Sequence, residues 1–532
     1  MEHAELVSAL SRAESYGSGV TQIEVVQTHV SSVFLTGDRV YKLKKPVNFG
    51  FLDFSTVELR ERYCRREVEL NRRLAPTMYL GVEPVVRRPD GVRVGGDGDI
   101  LDWVVVMRQL DQELLGPRML TRGELQPDML DAVVDQLVPF YREARTGEGV
   151  DRFGEVEAIR FNTDENFNQT EEYVGKLLSR ERFDHIRQWT DSFYAEHGPL
   201  FQRRIDEGRI RDSHGDLHLG NIFFTRPPTI FDCIEFNERF RCGDVAVDLA
   251  FLAMDLDFHG RPELASRVVD RYVELSGDVE LLDVLDFYKA YRAYVRGKIS
   301  CFTQSDPHLD ADVRRHHRNL ARRYFGLAYR YTGGPARPAI VVLYGLMGSG
   351  KTSLGRFLRE RLGWHLLSTD AVRKELAGVG ADTRVWVPYN EGLYSPDMNT
   401  RTYAEVCRRA ENLLAAGFPV VVDGAFKSGG DRDPVIALAH RTGSRLVFVE
   451  AWCGPEEQRR RLEKRQQHDT RSDGRVELMD RQRRDFAPPD PKRSELFIRL
   501  STEGAKDDTR RRLLDLLTTR GIVDSVDVHE PG

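Results

Sequence analysis

The chain has 532 residues, 40% hydrophobic and 30% charged, with a formal net charge of −6. That length is too great for one hydrophobic core, so about three folded units are expected. The mild negative charge gives no general affinity for nucleic acid or anionic membrane. No apolar run reaches the ~18 residues a membrane helix needs, and the N-terminus lacks the apolar segment of a secretory signal. Six cysteines are scattered without a CxxC pair. Free thiols in a reducing cytoplasm fit that pattern better than a zinc site or a disulfide framework.

Residues 4–16 show a short helical pattern, and residues 29–43 read as a β-hairpin around a Thr36-Gly37-Asp38 turn. Lys42 and Lys44 fall on one face of the second strand by period-two counting, so periodicity does not separate them. The apolar neighbours Tyr41 and Leu43 place Lys42 inside the strand, while Lys44-Lys45-Pro46 reads as a strand exit. Residues 58–74 form a helical run dense in Arg and Glu. Within it Glu67 and Glu69 lie about 200° apart around the helix, so at most one faces a given partner. Residues 81–110 give more strands, the last passing from apolar sequence into a polar segment at residues 107–109. From Thr121 to about Ser213 apolar residues recur at helical spacing.

His214-Gly215-Asp216-Leu217-His218-Leu219-Gly220-Asn221 follows, with Ile230-Phe231-Asp232 shortly after. An aspartate, an asparagine five positions on and a second aspartate after an apolar run suit transfer of the terminal phosphate of ATP. Asp216 would orient the acceptor hydroxyl and take its proton, while Asn221 and Asp232 offer hard oxygen ligands to Mg²⁺. The spacing is that of the protein-kinase catalytic loop and metal-binding turn. With Gly where protein kinases have Arg, HGD resembles the aminoglycoside phosphotransferase-like branch of that superfamily. The resemblance implies a bilobal α+β fold, with a small lobe at about residues 1–110 and a helical lobe at about 111–330. It makes Lys42 the lysine that grips the phosphates and Glu67 the helix residue that holds it. Met107 would mark the adenine-binding hinge. Asp248 either braces the catalytic loop or is an ordinary first-turn helix aspartate. No G-x-G-x-x-G precedes Lys42, a departure from protein kinases that suits this branch.

Residues 331–338, rich in Gly and Pro, break the helical pattern and read as a linker. Beyond them residues 339–344 form a continuous apolar run, as in a strand buried on both faces. It leads into Gly345-Leu346-Met347-Gly348-Ser349-Gly350-Lys351-Thr352 and a helical stretch. This is G-x-x-x-x-G-K-T in its strand–loop–helix setting. Gly345, Gly348, Ser349 and Gly350 let backbone N–H groups curl round phosphates, Lys351 reaches the β/γ-phosphates, and Thr352 ligates Mg²⁺. Further strands at residues 364–369, 420–423, 446–452 and 496–500, each followed by helical sequence, predict an α/β domain with a parallel sheet over residues 339–532. Asp423 ends one strand and is a candidate magnesium-associated carboxylate.

Asp370, at the carboxyl end of another strand, is either a catalytic base or an N-cap. Arg373 one turn on would pair an anionic substrate group. The STDAVRKEL segment resembles P-loop kinases of small molecules and polynucleotides, including the zeta-toxin type. That resemblance places a phosphate-contacting lid near Arg459, Arg460, Arg461, Arg465 and Arg471, with Arg465 and Arg471 the catalytic candidates.

The whole chain therefore resembles bacterial fusions of an aminoglycoside phosphotransferase-like kinase with a P-loop kinase. Two ATP·Mg²⁺ sites acting on hydroxyls of small molecules such as sugars or aminoglycosides are expected. Two alternatives stand beside this: a P-loop domain that is a regulatory ATPase, and one that acts on nucleotide-type acceptors.

Overall fold

The computed structural model describes residues 1–523 except 18, 308, 335–337, 381–382, 384, 386, 388–389 and 469–474, and except the side chains of 465–468 and 491. The described residues group by their internal contacts into two units. One holds Met1–Asn162, Tyr194–Asp255 and Leu264–Tyr288; the other holds Thr163–Phe193, Leu256–Glu263 and Lys289–Gly532. Residues 335–337 of the expected linker lie outside the described residues.

The first unit is built on an antiparallel sheet of β1 (Glu24–Gln27), β2 (Ser31–Leu35), β3 (Arg39–Lys44), β4 (Tyr79–Arg88), β5 (Gly91–Val94) and β6 (Asp99–Arg108). Its strand order is β1-β2-β3-β6-β4-β5. Alternation along the strands sends Phe34, Tyr41, Leu43, Val104 and Val106 to a face covered by the helix His3–Leu10. Val40, Val105 and Met107 go to the opposite face, packed against Cys64 and Val68 of the helix Val57–Asn71. Because the side-chain period of a strand is two, Lys42 and Lys44 lie on that second face with Val40. Thr56 caps the helix, its side chain accepting the Leu59 N–H.

Short strands then bracket the HGD segment. β7 (Ile210–Asp212) precedes it, the hairpin of β8 (Ile222–Phe223) and β9 (Thr229–Ile230) follows it, and β10 (Cys242–Asp244) pairs antiparallel with β7. The helix Val245–Phe258 begins directly after β10. This is the kinase-like fold expected for the N-terminal region.

In the second unit β11 (Ala339–Tyr344), β12 (His365–Ser368), β13 (Val420–Asp423), β14 (Arg445–Trp452) and β15 (Phe497–Ser501) form a parallel sheet ordered β12-β13-β11-β14-β15. All six residues of β11 are buried, as a central strand covered on both faces requires. Its Val341 and Leu343 pack with Leu354 and Leu358 of the helix Lys351–Leu362. Neighbouring parallel strands end together, so the carboxyl ends of β11, β12 and β13 gather the G-x-x-x-x-G-K-T loop, Asp370 and Asp423 at one edge.

Candidate active sites

In the first unit Lys42 is joined to two carboxylates. Its Nζ donates to Glu67 Oε1 at 2.9 Å and to Asp232 Oδ1 at 2.6 Å. Lys44, sealed from solvent, donates to Glu67 Oε2 at 2.6 Å and also pairs with Glu235. Glu67 thus holds both lysines of the shared strand face, while Glu69 turns outward to Arg66. Burial pushes the Glu67 carboxyl up, but Lys42 and Lys44 together bring it down to about 2. Burial pulls the Lys42 ammonium down; Asp232 and Glu67 more than reverse this and hold it charged. The lysine with access to solvent is Lys42, at 14% against 1% for Lys44.

Asp232 follows β9 with a φ of 64°, a left-handed conformation uncommon for a residue with a side chain. Its N–H donates to the Tyr79 hydroxyl at 3.2 Å, and the neighbouring Cys233 N–H donates to Asn71 at 2.8 Å. The HGD loop is held from behind by Asp248, which accepts the His214 N–H at 2.9 Å, the Gly215 N–H at 2.8 Å and the Tyr141 hydroxyl at 3.2 Å. Asp248 therefore braces the loop. His214 takes the Asp216 N–H on Nδ1 and donates from Nε2 to the Phe231 carbonyl at 3.0 Å, which ties the loop to the segment leading to Asp232. Burial keeps its imidazole neutral, against the pull of Asp248 and Asp216. Gly215 has a φ of 84°, and a Cβ there would lie 2.6 Å from the Phe240 carbonyl oxygen. The glycine of HGD is thus a steric requirement.

Asn221 donates through Nδ2 to the Asp216 carbonyl at 2.9 Å and to Asp216 Oδ2 at 3.1 Å. That leaves its amide oxygen for a cation. The hard oxygens of Asn221 and Asp232, beside a charged lysine, fit Mg²⁺ and phosphate. Met107 lies within β6, buried among Val40, Val68 and Tyr79, and the polar segment starts after Arg108. Its side chain belongs to the core, and strand pairing continues to Arg108.

In the second unit Gly345, Gly348 and Gly350 all have positive φ, which only glycine takes without strain. Ser349 Oγ is buried with no hydrogen-bond partner among the described residues. An orphaned hydroxyl inside a ring of backbone amides fits a phosphate group. Thr352 Oγ1 donates to Asp423 Oδ2 at 2.7 Å, so these two candidate metal residues are in contact. Burial raises the Asp423 carboxyl, with Lys351 and Thr352 opposing. Lys351 Nζ donates to the Leu346 carbonyl at 2.8 Å, across the loop it belongs to.

β12 stops at Ser368, and the following helix, Thr369–Leu376, already contains Asp370. The N-cap is Ser368, whose Oγ accepts the Ala371 N–H at 3.5 Å, which removes the capping role considered for Asp370. Asp370 instead accepts the Tyr394 hydroxyl at 2.8 Å and lies 3.5 Å from Arg373, which also donates to Asn399 at 3.0 Å. Tyr394 and Asn399 were not foreseen. Nor were Gln482 and Gln458, which take the two backbone groups of Met347 in the phosphate loop. The Arg465 side chain and Arg471 lie outside the described residues. Arg460 and Arg461 both pair with Glu457, and Arg461 also grips Thr502, against Gly350.

Comparison with known proteins finds two family matches along the chain. Residues 56–288 match the phosphotransferase enzyme family and residues 340–489 an AAA domain. An uncharacterized protein of Mycobacterium tuberculosis is 36% identical over 428 residues, 80% of this chain and 82% of that one. The chain belongs to its family. This chain joins a phosphotransferase domain to a P-loop kinase domain. Over 87 residues the chain is also 32% identical to a shikimate kinase of Moorella thermoacetica, 16% of this chain and 49% of that enzyme. A choline/ethanolamine kinase family protein from Mesorhizobium loti aligns at 15% identity over 62% of this chain and 95% of that one, with a TM-score of 0.39. Among the described residues no helix is long and apolar enough to cross a membrane.

Proposed function

We propose that the chain is a bifunctional, cytoplasmic phosphotransferase with two ATP·Mg²⁺ sites, each acting on a hydroxyl of a small molecule. The observation that carries the first site is the Lys42–Glu67–Asp232 linkage beside an HGD loop locked to Asp248. Bound ATP·Mg²⁺ supplies the phosphoryl group and neutralises charge as it transfers. Asp216 accepts the proton of the acceptor hydroxyl, and Lys42, held charged by Glu67, donates to phosphate oxygens. Asn221 and Asp232 hold the metal through oxygen. The residues position and stabilise; they make no covalent intermediate.

At the second site the amides of Gly348 and Gly350, the Ser349 hydroxyl and Lys351 hold phosphate oxygens, and Thr352 with Asp423 holds the metal. Asp370, oriented by Tyr394, takes the acceptor proton, while Arg373 pairs an anionic substituent. The local likeness to shikimate kinases supports a hydroxyl acceptor here. Sugars or aminoglycosides are the acceptors we assign to the first site.

Transfer of label from γ-labelled ATP to a sugar and aminoglycoside panel tests the first assignment. Asp216→Ala should abolish it with the melting temperature unchanged; full transfer by that variant would exclude Asp216 as the base.

A further inference from the structure

Away from both sites, the second unit has an open cleft of about 480 Å³. Its walls are residues 258–260, the helix Ala311–Tyr331, the helix Lys351–Leu362 and β12. Six cationic or imidazole side chains line it: His259, Arg315, His316, Arg323, Arg359 and His365. Only two carboxylates, Asp312 and Glu360, join them, and Asp312 is committed to Arg315 at 2.6 Å. Arg323 lies over the Phe258 ring and donates to the Phe258 carbonyl at 3.2 Å, leaving its buried Nε without a partner. Among the described residues neither Arg323 nor Arg359 enters an ion pair.

His365 is nine-tenths buried, and its Nε2 also lacks a hydrogen-bond partner among the described residues. Its ring is packed edge-on against Phe418, with Gly260 so close that a Cβ there would lie 2.7 Å from Nδ1. Burial, with Arg330, Arg323 and His259 beside it, keeps the imidazole neutral. Burial and the neighbouring Arg359 charge likewise pull the Arg323 guanidinium down. Cations brought together from several elements, with buried donors left unmade, cost stability unless an anion completes them.

We propose that this cleft binds a phosphate-bearing small molecule, with Arg323 and Arg359 pairing phosphate oxygens and His365 Nε2 donating a hydrogen bond. The guanidinium fork matches phosphate oxygens in bidentate fashion, and the volume lies in the range of small-molecule sites, roughly 300–1,000 Å³. The occupant would rest on β12, which runs from His365 to Ser368, the cap of the helix carrying Asp370.

Calorimetric titration of the full chain with inorganic pyrophosphate tests this, with a non-hydrolysable ATP analogue and Mg²⁺ saturating the two nucleotide sites. Tricarballylate serves as the carboxylate control. Saturable pyrophosphate binding is expected, weakened about tenfold or more in Arg359→Ala, equivalent to roughly 1.4 kcal/mol or more, and weakened also in His365→Gln. Arg359 is exposed, so its replacement should leave the melting temperature unchanged. Absence of saturable binding, or equal affinity in wild type and Arg359→Ala, would overturn the site. Equal binding of tricarballylate would overturn the assignment to phosphate.

Discussion

The Lys42 ammonium lies 2.6 Å from the Asp232 carboxylate, a contact that spans 190 residues of sequence. It fixes the strand β3 against the turn after β9, and Glu67 adds the helix Val57–Asn71 to the same point. Three separate stretches of chain meet at one charge, which makes the first site sensitive to groups that never touch a substrate.

Lys44 is such a group. It is buried between Glu67 and Glu235, and removing one partner of a buried ion pair leaves uncompensated charge. Lys44→Ala should destabilise the protein by about 3–5 kcal/mol, measured as a shift in urea unfolding. A change within ±0.5 kcal/mol, the usual range for surface replacements, would show that the pair is dispensable.

Acid should reveal Glu67 directly. Its folded-state pKa lies near 2, below its ordinary 4.5. Its contribution to stability is therefore complete above pH 4.5 and is lost as the pH falls through 2. Glu235 has the opposite sign, because burial holds its carboxyl above the ordinary range while Lys44 pulls it back. Glu67→Gln should flatten the fall in stability over the acid range; an unchanged acid-unfolding profile would contradict the linkage.

Asp248 acts through the loop it holds. Asp248→Asn keeps the shape but replaces one of the two oxygens that accept the His214 and Gly215 amides. Small misplacement of a catalytic group costs roughly 10²-fold. Steady-state kinetics at the first site should show kcat reduced on that scale with the KM for ATP little changed. Loss confined to KM would place Asp248 in nucleotide binding instead.

The legible parts of these sites are those written locally. The phosphate loop, the HGD segment, Thr352 and the strand-end Asp423 occupy fixed positions relative to one strand or turn, so their spacing is visible in the sequence. Lys42 and Lys44 resisted separation because both lie on the face that meets Glu67, and both bond to it. Glu235 gave only a weak signal, a lone carboxylate in the apolar stretch Cys233-Ile234-Glu235-Phe236. Tyr394 and Asn399 follow Asp370 by 24 and Arg373 by 26 residues, and no local periodicity links them. The position of Ser368, one residue before the helix, shows why a cap and a catalytic aspartate looked alike in sequence. The change from apolar to polar sequence at Met107 was visible, whereas the continued pairing of β6 with β3 and β4 was not.

On the proposed reading one chain carries two independent phosphoryl-transfer sites. The most direct test is ATP turnover across sugars, aminoglycosides and nucleosides for wild type, Asp216→Ala and Lys351→Ala. Some acceptors should lose phosphorylation only with Asp216→Ala and others only with Lys351→Ala. A single acceptor lost in both variants would contradict that reading and make one domain the servant of the other.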